Sequence, residues 1–198
     1  MAPRLLLAST SRYRALLLER LNLPFAVQAP EVDEARLPRE KPAARALRLA
    51  LAKAQAVAAR NPDACVIGSD QVAVLGLRIL DKPGDAARCR EQLEASSGKR
   101  VDFHTAVAVV GPGPGSSQSH VDRTRVRFRT LTEREISRYV DIEQPFDCAG
   151  GFRSEGLGVA LFESIETRDP AALVGLPLVW LAGALRAVGL DPLAPDQS

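Results

Sequence analysis

Cysteine and histidine are scarce in this chain, and no sign of charge prevails. The three cysteines, Cys65, Cys89 and Cys148, are odd in number and widely spaced. They have no CxxC pairing and only two histidines to complete a cage, which argues against a zinc site. No apolar run approaches the roughly 20 residues that span a bilayer, so no membrane partner is expected. Met1 to Ala8 lack the long apolar core of a secretory signal, and the reducing cytoplasm is the expected compartment. The 26 basic and 24 acidic residues nearly cancel, so no blanket field draws the chain to nucleic acid or anionic lipid. Any anion site must therefore be local. There is no internal repeat and no low-complexity tail beyond the last few residues. What remains is 198 residues with 46% hydrophobic content, enough for one substantial core and read as one domain over 1–198.

Alternating strand and helix signals run along that length. Leu5 to Ala8 reads as a buried strand meeting a helix N-cap at Ser9-Thr10-Ser11, and Leu17, Leu18 and Leu21 keep helical spacing for about three turns. Residues 28 to 42, with Pro30, Glu31, Asp33, Glu34, Pro38 and Pro42, read as an acidic loop. From Pro42 to Arg60 a helix places Leu47, Ala50, Leu51, Ala54, Val57 and Ala58 on one face, with Lys53 at its edge. Cys65 to Ile67 is an apolar strand, interrupted by Gly68-Ser69-Asp70-Gln71 and resumed over 72–75. Asp85 is placed to cap a helix running through Ala95 and ending near Gly98. Residues 101–110 and 121–129 read as a hairpin around the Gly-Pro-rich stretch 111–116. Thr132 and Glu135 have capping-box spacing, and a last helix opens at Pro177 and stops at Gly189. The glycine-dense stretch 149–158 has no helical period and suits a loop that approaches a ligand closely. The alternation implies an α/β fold with a mixed sheet.

Few residues stand out for chemistry. Ser9 to Arg14 puts hydroxyls, free N–H groups and two guanidiniums at a helix start, which is either a triphosphate cradle or an ordinary cap with solvated arginines. Asp70 lies within a buried run, where a carboxylate must be paired, bind a metal or bear a desolvation penalty, unless it is only a strand-end turn residue. Taken singly, Lys53 and Lys82 read as an exposed helix-edge charge and an exposed turn charge. Arg123, Arg125, Arg127 and Arg129 share one strand face, but no aromatic residue alternates with them to stack bases. They read as a solvated face rather than a nucleic-acid strip. His104, His120 and Trp180, the last at core spacing, are not site candidates.

Taken together and in order, these elements resemble the Maf family of nucleoside triphosphate pyrophosphatases. The resemblance runs through Leu7-Ala8-Ser9-Thr10-Ser11-Arg12-Tyr13-Arg14, Val32-Asp33-Glu34, Leu49-Ala50 with Lys53-Ala54, and Gly68-Ser69-Asp70-Gln71. It continues through Lys82-Pro83, Ser97-Gly98, Phe128-Arg129 with Leu131, and Val174-Gly175-Leu176-Pro177-Leu178. It implies an elongated mixed sheet with flanking helices around a deep cleft, similar to inosine triphosphate pyrophosphatases. The implied reaction is hydrolysis between the α and β phosphates. Arg14, Lys53 and Lys82 would meet the phosphate charge, and Asp70 would accept the proton of the attacking water. Glu34 and Asp70 would hold a divalent cation of the Mg, Mn or Co type, a hard ion that takes oxygen ligands. Relatives are often homodimers. One departure is Arg12, which stands at the family's usual proline.

Within the family, Tyr13, Gln71 and Glu155 resemble the 7-methyl-GTP subgroup, whereas the thymidine and uridine triphosphate subgroup tends to arginine, threonine and glutamine. Ser9, Ser11 and Arg14 complete the expected substrate-binding set. Methylation at N7 makes guanine cationic, so the Tyr13 ring would attract it by about 0.5–2 kcal/mol. Glu155 would accept from the guanine N1–H and N2–H₂ donors. The competing expectations are a TTP/UTP pyrophosphatase and a nucleotide-binding regulator of septum formation that does not hydrolyse its ligand.

Overall fold

The computed structural model describes residues 3–113 and 116–194. Its frame is a seven-stranded mixed sheet. β1 (Arg4–Ala8) lies between β2 (Phe25–Gln28) and β3 (Ala64–Leu75), parallel to both. From β3 the sheet continues antiparallel through β5 (Arg100–Val110), β6 (Ser117–Phe128) and β7 (Phe162–Glu166), while the short β4 (Arg78–Leu80) returns against the end of β3. The α/β fold with a mixed sheet is as expected. The hairpin loop is shorter than expected because β6 begins at Ser117, and Pro114 and Gly115 of the Gly-Pro stretch lie outside the described residues.

Side-chain alternation along the parallel strands explains how both faces are covered. Leu5, Leu7, Cys65, Ile67, Val107 and Val109 point to one side, where they meet Leu17 and Leu18 of α1 (Arg12–Glu19) and Leu181 and Leu185 of α6 (Leu178–Ala187). Leu6, Ala8, Val66, Ala106 and Ala108 point to the other, against Ala46, Ala50, Ala54 and Val57 of α2 (Pro42–Ala58). A third core at the far end of the long strands joins Phe103, Val126 and Phe128 to Leu93 of α3 (Ala86–Ser96) and to Ile136, Tyr139 and Val140 of α4 (Glu133–Glu143). The long strands β3, β5 and β6 thus pass between packed regions, and β3 carries its polar quartet midway along.

Several local expectations need correction. α1 spans 8 residues, about two turns rather than three, because Asn22 turns left-handed (φ 51°) before Pro24. Ser11 is its N-cap by position, yet its side chain makes no capping bond; instead Ser9 Oγ accepts from the Ser11 N–H at 3.1 Å. Gly68 to Gln71 do not interrupt the strand, since β3 runs unbroken for 12 residues with Asp70 and Gln71 still in register with Ala106 and Thr105. Trp180 is half-buried and stacks on His120 (centroids 5.4 Å, 14° between planes) rather than sitting wholly inside. The capping features of α3 and α4 are as expected: Asp85 accepts from the Arg88 N–H, and Thr132 and Glu135 form a reciprocal capping box. Two small elements had no periodic signal, β7 at the sheet edge and the single-turn helix α5 (Pro170–Val174). No helix among the described residues is long and apolar enough to cross a membrane.

Candidate active site

The centre of the molecule's main cleft is set by how closely α2 presses on β3. At Gly68 a Cβ would fall 2.2 Å from the Ala50 carbonyl oxygen and 2.6 Å from the Ala54 N, so only glycine permits the helix to lie there. That approach brings Lys53, one turn along α2, onto Asp70. Lys53 is not at an exposed edge as its place on the helix implied; it is 6% exposed, with Nζ 2.7 Å from Asp70 Oδ1 and 2.8 Å from Glu34 Oε1. Burial pushes the Glu34 carboxyl up, but the Lys53 ammonium, aided by Lys82 and Arg14, outweighs it and holds Glu34 below the usual range.

Glu34 reaches this point from the long loop between β2 and α2. Arg48 fastens that loop through Glu40 (2.6 and 2.8 Å) and the Ala35 carbonyl (3.1 Å), and Arg45 Nη2 donates to the Glu34 carbonyl at 3.3 Å. Arg36 pairs with Asp81, joining the loop to the turn that carries Lys82. Lys82 itself is exposed.

A second set of contacts comes from the 170–177 segment, which nothing in the periodicity had marked. Its carbonyls act as fixed acceptors: Gly175 O accepts from Arg14 Nε at 3.0 Å and lies 2.9 Å from Ser69 Oγ. Gly175 has φ 128°, a backbone conformation that favours glycine and that turns this carbonyl toward Arg14 and Ser69. Gln71 Nε2 lies within 2.9–3.1 Å of Thr105 Oγ1 and the Ala172 and Leu173 carbonyls, which commits its amide nitrogen and leaves its oxygen for a ligand. The Val174-Gly175-Leu176-Pro177 resemblance thus acquires a physical content, the orientation of Arg14 and Gln71. Burial lowers the Arg14 guanidinium from its ordinary value, partly offset by Asp70 and Glu34, and it remains a cation.

The glycine-rich stretch is pinned by Phe152, which packs edge-to-face on Phe103, Phe128 and Phe162 (centroids 5.4, 5.7 and 4.8 Å). Just beyond it, Ser154 and the exposed Glu155 line the cleft. Opposite, Tyr13 hydrogen-bonds through its hydroxyl to Asp147 (3.4 Å) and accepts from Arg12 (2.8 Å), whose guanidinium lies 4.8 Å from the ring centroid. The ring proposed for a cationic base already carries a cation.

The resulting cleft has a volume of about 700 Å³, and Ser9, Ser11, Tyr13, Arg14, Glu34, Lys53, Asp70, Gln71, Lys82 and Glu155 all line it. Ten residues spread over 147 positions of sequence therefore meet in one concave surface. Cys148 lines it too, but burial pushes its thiol up to about 11, so it is no nucleophile at neutral pH. Among the described residues no three His, Cys, Asp or Glu side chains gather into a metal cage. Glu34 and Asp70 each give one oxygen to Lys53. Their remaining oxygens fit a magnesium-type ion, which is held by one or two carboxylates with water and substrate phosphates completing its shell. The Arg123 to Arg129 strip lies elsewhere and is paired: Arg123 with Asp102, Arg125 with Glu166, Arg127 with Glu163, Arg129 with Glu135. Arg45, also in the cleft wall, had not been marked; no helical period distinguishes it from a surface arginine.

Known proteins resemble this chain across nearly its whole length. It is 56% identical over 195 residues to the 7-methyl-GTP pyrophosphatase of Alkalilimnicola ehrlichii, with 98% of both chains covered. It is 56% identical over 190 residues to that of Xanthomonas axonopodis (96% and 98% covered), and 53% over 190 to that of Chromohalobacter salexigens (96% and 98%). The solved Ham1 protein of Staphylococcus aureus overlaps with a TM-score of 0.47 at 14% identity, over 78% of this chain and 89% of that one. The Maf-like protein pattern matches residues 4–188, and the chain belongs to that family.

Proposed function

We propose that the chain hydrolyses 7-methyl-GTP between its α and β phosphates, releasing 7-methyl-GMP and pyrophosphate. One observation carries the reading: a buried lysine bridges two carboxylates at the floor of a cleft that is also lined by Arg14 and Lys82. Relatives 51–56% identical over nearly their full length, named 7-methyl-GTP pyrophosphatases, support the substrate.

In the proposed reaction a water oxygen bonds to the α-phosphorus as the bond from that phosphorus to the αβ-bridging oxygen breaks. Asp70 takes the water's proton, and the electron pair leaves on pyrophosphate. Lys53 lies against Asp70 and Glu34, so charge that develops on the phosphate oxygens meets a fixed ammonium, with Arg14 and Lys82 as further cations. A divalent ion held by Glu34 and Asp70 would, when bound, neutralise phosphate charge. Ser9, Ser11 and the N–H groups at the start of α1 suit phosphate oxygens. At the base end, a cationic guanine exchanges for the Arg12 guanidinium over Tyr13, one cation for another, and Glu155 accepts from N1–H and N2–H₂. Thymine and uracil leave that carboxylate without its second donor. The three free cysteines suit a reducing cytoplasm.

The test is a panel of 7-methyl-GTP, GTP, TTP and UTP with a divalent ion, scored for pyrophosphate. 7-methyl-GTP should have the highest kcat/KM by at least about tenfold, and Glu155→Gln should erode that margin. Equal values for 7-methyl-GTP and UTP would overturn the base assignment; no pyrophosphate from any of the four would overturn the reaction.

A further inference from the structure

Among the described residues, six buried side-chain nitrogen or oxygen atoms lack a hydrogen-bond partner: Arg45 Nε and Nη1, Gln92 Oε1, Asp122 Oδ1, Arg125 Nε and Arg153 Nε. Only Arg45 lines the cleft. It is also the exception among the cations of α2, since Arg48 is paired with Glu40 and Lys53 with Glu34 and Asp70. Its one protein hydrogen bond, from Nη2 to the Glu34 carbonyl, holds the guanidinium against the acidic loop and leaves Nε and Nη1 without a partner.

Unmade hydrogen bonds on nitrogens shielded from water are costly, and a half-buried guanidinium that turns its Nε–Nη2 or its Nη1–Nη2 edge into the cleft matches two oxygens of one phosphate. Arg45, Leu49 and Lys53 follow one another at four-residue spacing along α2 and all line the cleft. At 1.5 Å rise per residue, Arg45 stands about 12 Å along the helix from Lys53. In the proposed reaction Lys53 lies beside the α-phosphorus. A cation further along the same ridge is within the span of a triphosphate chain that starts there.

We propose that Arg45 is a further phosphate-binding residue, a bidentate ligand for the terminal phosphates of the substrate and hence for the pyrophosphate product. The inference rests on the reading of the cleft as a triphosphate site. It does not depend on which base is bound, because the group it addresses carries none.

The experiment therefore uses a base-free probe, inorganic tripolyphosphate, titrated calorimetrically into the full chain and its variants, alongside steady-state kinetics with 7-methyl-GTP. Arg45→Met keeps the packed stem without the guanidinium, and Arg45→Lys keeps the charge without the fork. Arg45→Met should weaken tripolyphosphate binding and raise KM by about tenfold or more, with kcat within about twofold and the thermal midpoint not lowered. Arg45→Lys should recover part of the loss. Arg88→Met, on an exposed arginine of α3, should change neither, which separates a local contact from net charge. Unchanged tripolyphosphate affinity in Arg45→Met overturns the assignment, and so does a fall in kcat alone, which would make Arg45 only a brace for the Glu34 loop. If binding survives in Arg45→Met but is lost in Lys53→Ala, only the role of Arg45 falls. If the unaltered chain binds no tripolyphosphate, the triphosphate reading falls with it.

Discussion

Two groups of charge in this molecule look alike in sequence and differ in kind. On β6 and just beyond it, Arg123, Arg125, Arg127 and Arg129 stand in water, their side chains between 36% and 58% exposed, each facing a carboxylate. In the cleft, Lys53, Asp70 and Glu34 make a smaller cluster, but the Lys53 and Asp70 side chains are 8% and 11% exposed. Exposed pairs gain little over their hydration and are screened by salt, whereas a buried pair such as Lys53 and Asp70 persists only if each charge is met by another. With the exposed Glu34 the cluster carries one more negative than positive charge, which suits it to hold a cation. The lesson is that the number of charges in a segment says less about function than the amount of water left around them.

Four variants break or sharpen that contrast. The largest effect is expected for Asp70→Asn, which should reduce kcat to under about 1% of the unaltered enzyme, as loss of a proton acceptor does. Lys53 keeps Glu34 and can still donate to the asparagine oxygen, so thermal unfolding should move little. A stopped assay for pyrophosphate and a melting curve decide both points.

Lys53→Ala removes the shared cation and should cost about 10²-fold in turnover. It also leaves two carboxylates facing each other, so a fall in Tm of about 5 °C is expected. The Glu34 carboxyl, freed from the ammonium that outweighs its burial, should titrate higher, which carboxylate NMR would record. An unchanged Tm would mean that the Lys53–Asp70 pair is solvated after all.

Arg125→Ala with Arg127→Ala, by contrast, should leave kcat unaltered and change stability by less than about 1 kcal/mol. If the double variant lost a salt-sensitive affinity for oligonucleotides, the strip would have to be reassigned as a binding surface.

The smallest effect is expected at Glu135. Backbone and side-chain hydrogen bonds from Thr132, with Arg129, bring its carboxyl down to about 2. A depressed folded value means that the contribution is complete above the ordinary glutamate range and fades as pH falls from there toward 2. Glu135→Gln should therefore lower the urea midpoint slightly at pH 7, and the gap should close by about pH 2. A gap that stays constant with pH would deny the ionised carboxylate any part in the cap.

Much of this was legible in the chain, and its limits are instructive. α2, α3 and α4 announce themselves through periodicity and capping residues such as Asp85, Thr132 and Glu135, because those signals lie within one or two turns of sequence. β7, α5 and the unbroken β3 do not. β7 is an exposed edge strand with no alternation to read, α5 is a single turn, and β3 passes straight through a polar quartet that sequence alone reads as a turn. All ten candidate site residues could be named in advance because their order along the chain resembles that of a family. Arg45 was missed because no local pattern distinguishes it.

By itself, then, the sequence determined the alternation of strands and helices, the ends of most helices, the absence of a blanket charge and the identity of the groups that could meet a triphosphate. Only tertiary structure decided which charges are buried. Lys53 reads as a helix-edge residue until Gly68 lets α2 settle against β3, and Arg14 reads as a solvated arginine until the Gly175 carbonyl takes its Nε. The physical reason is that burial depends on what lies across space, and the partners that impose it are 15 to 161 positions away along the chain.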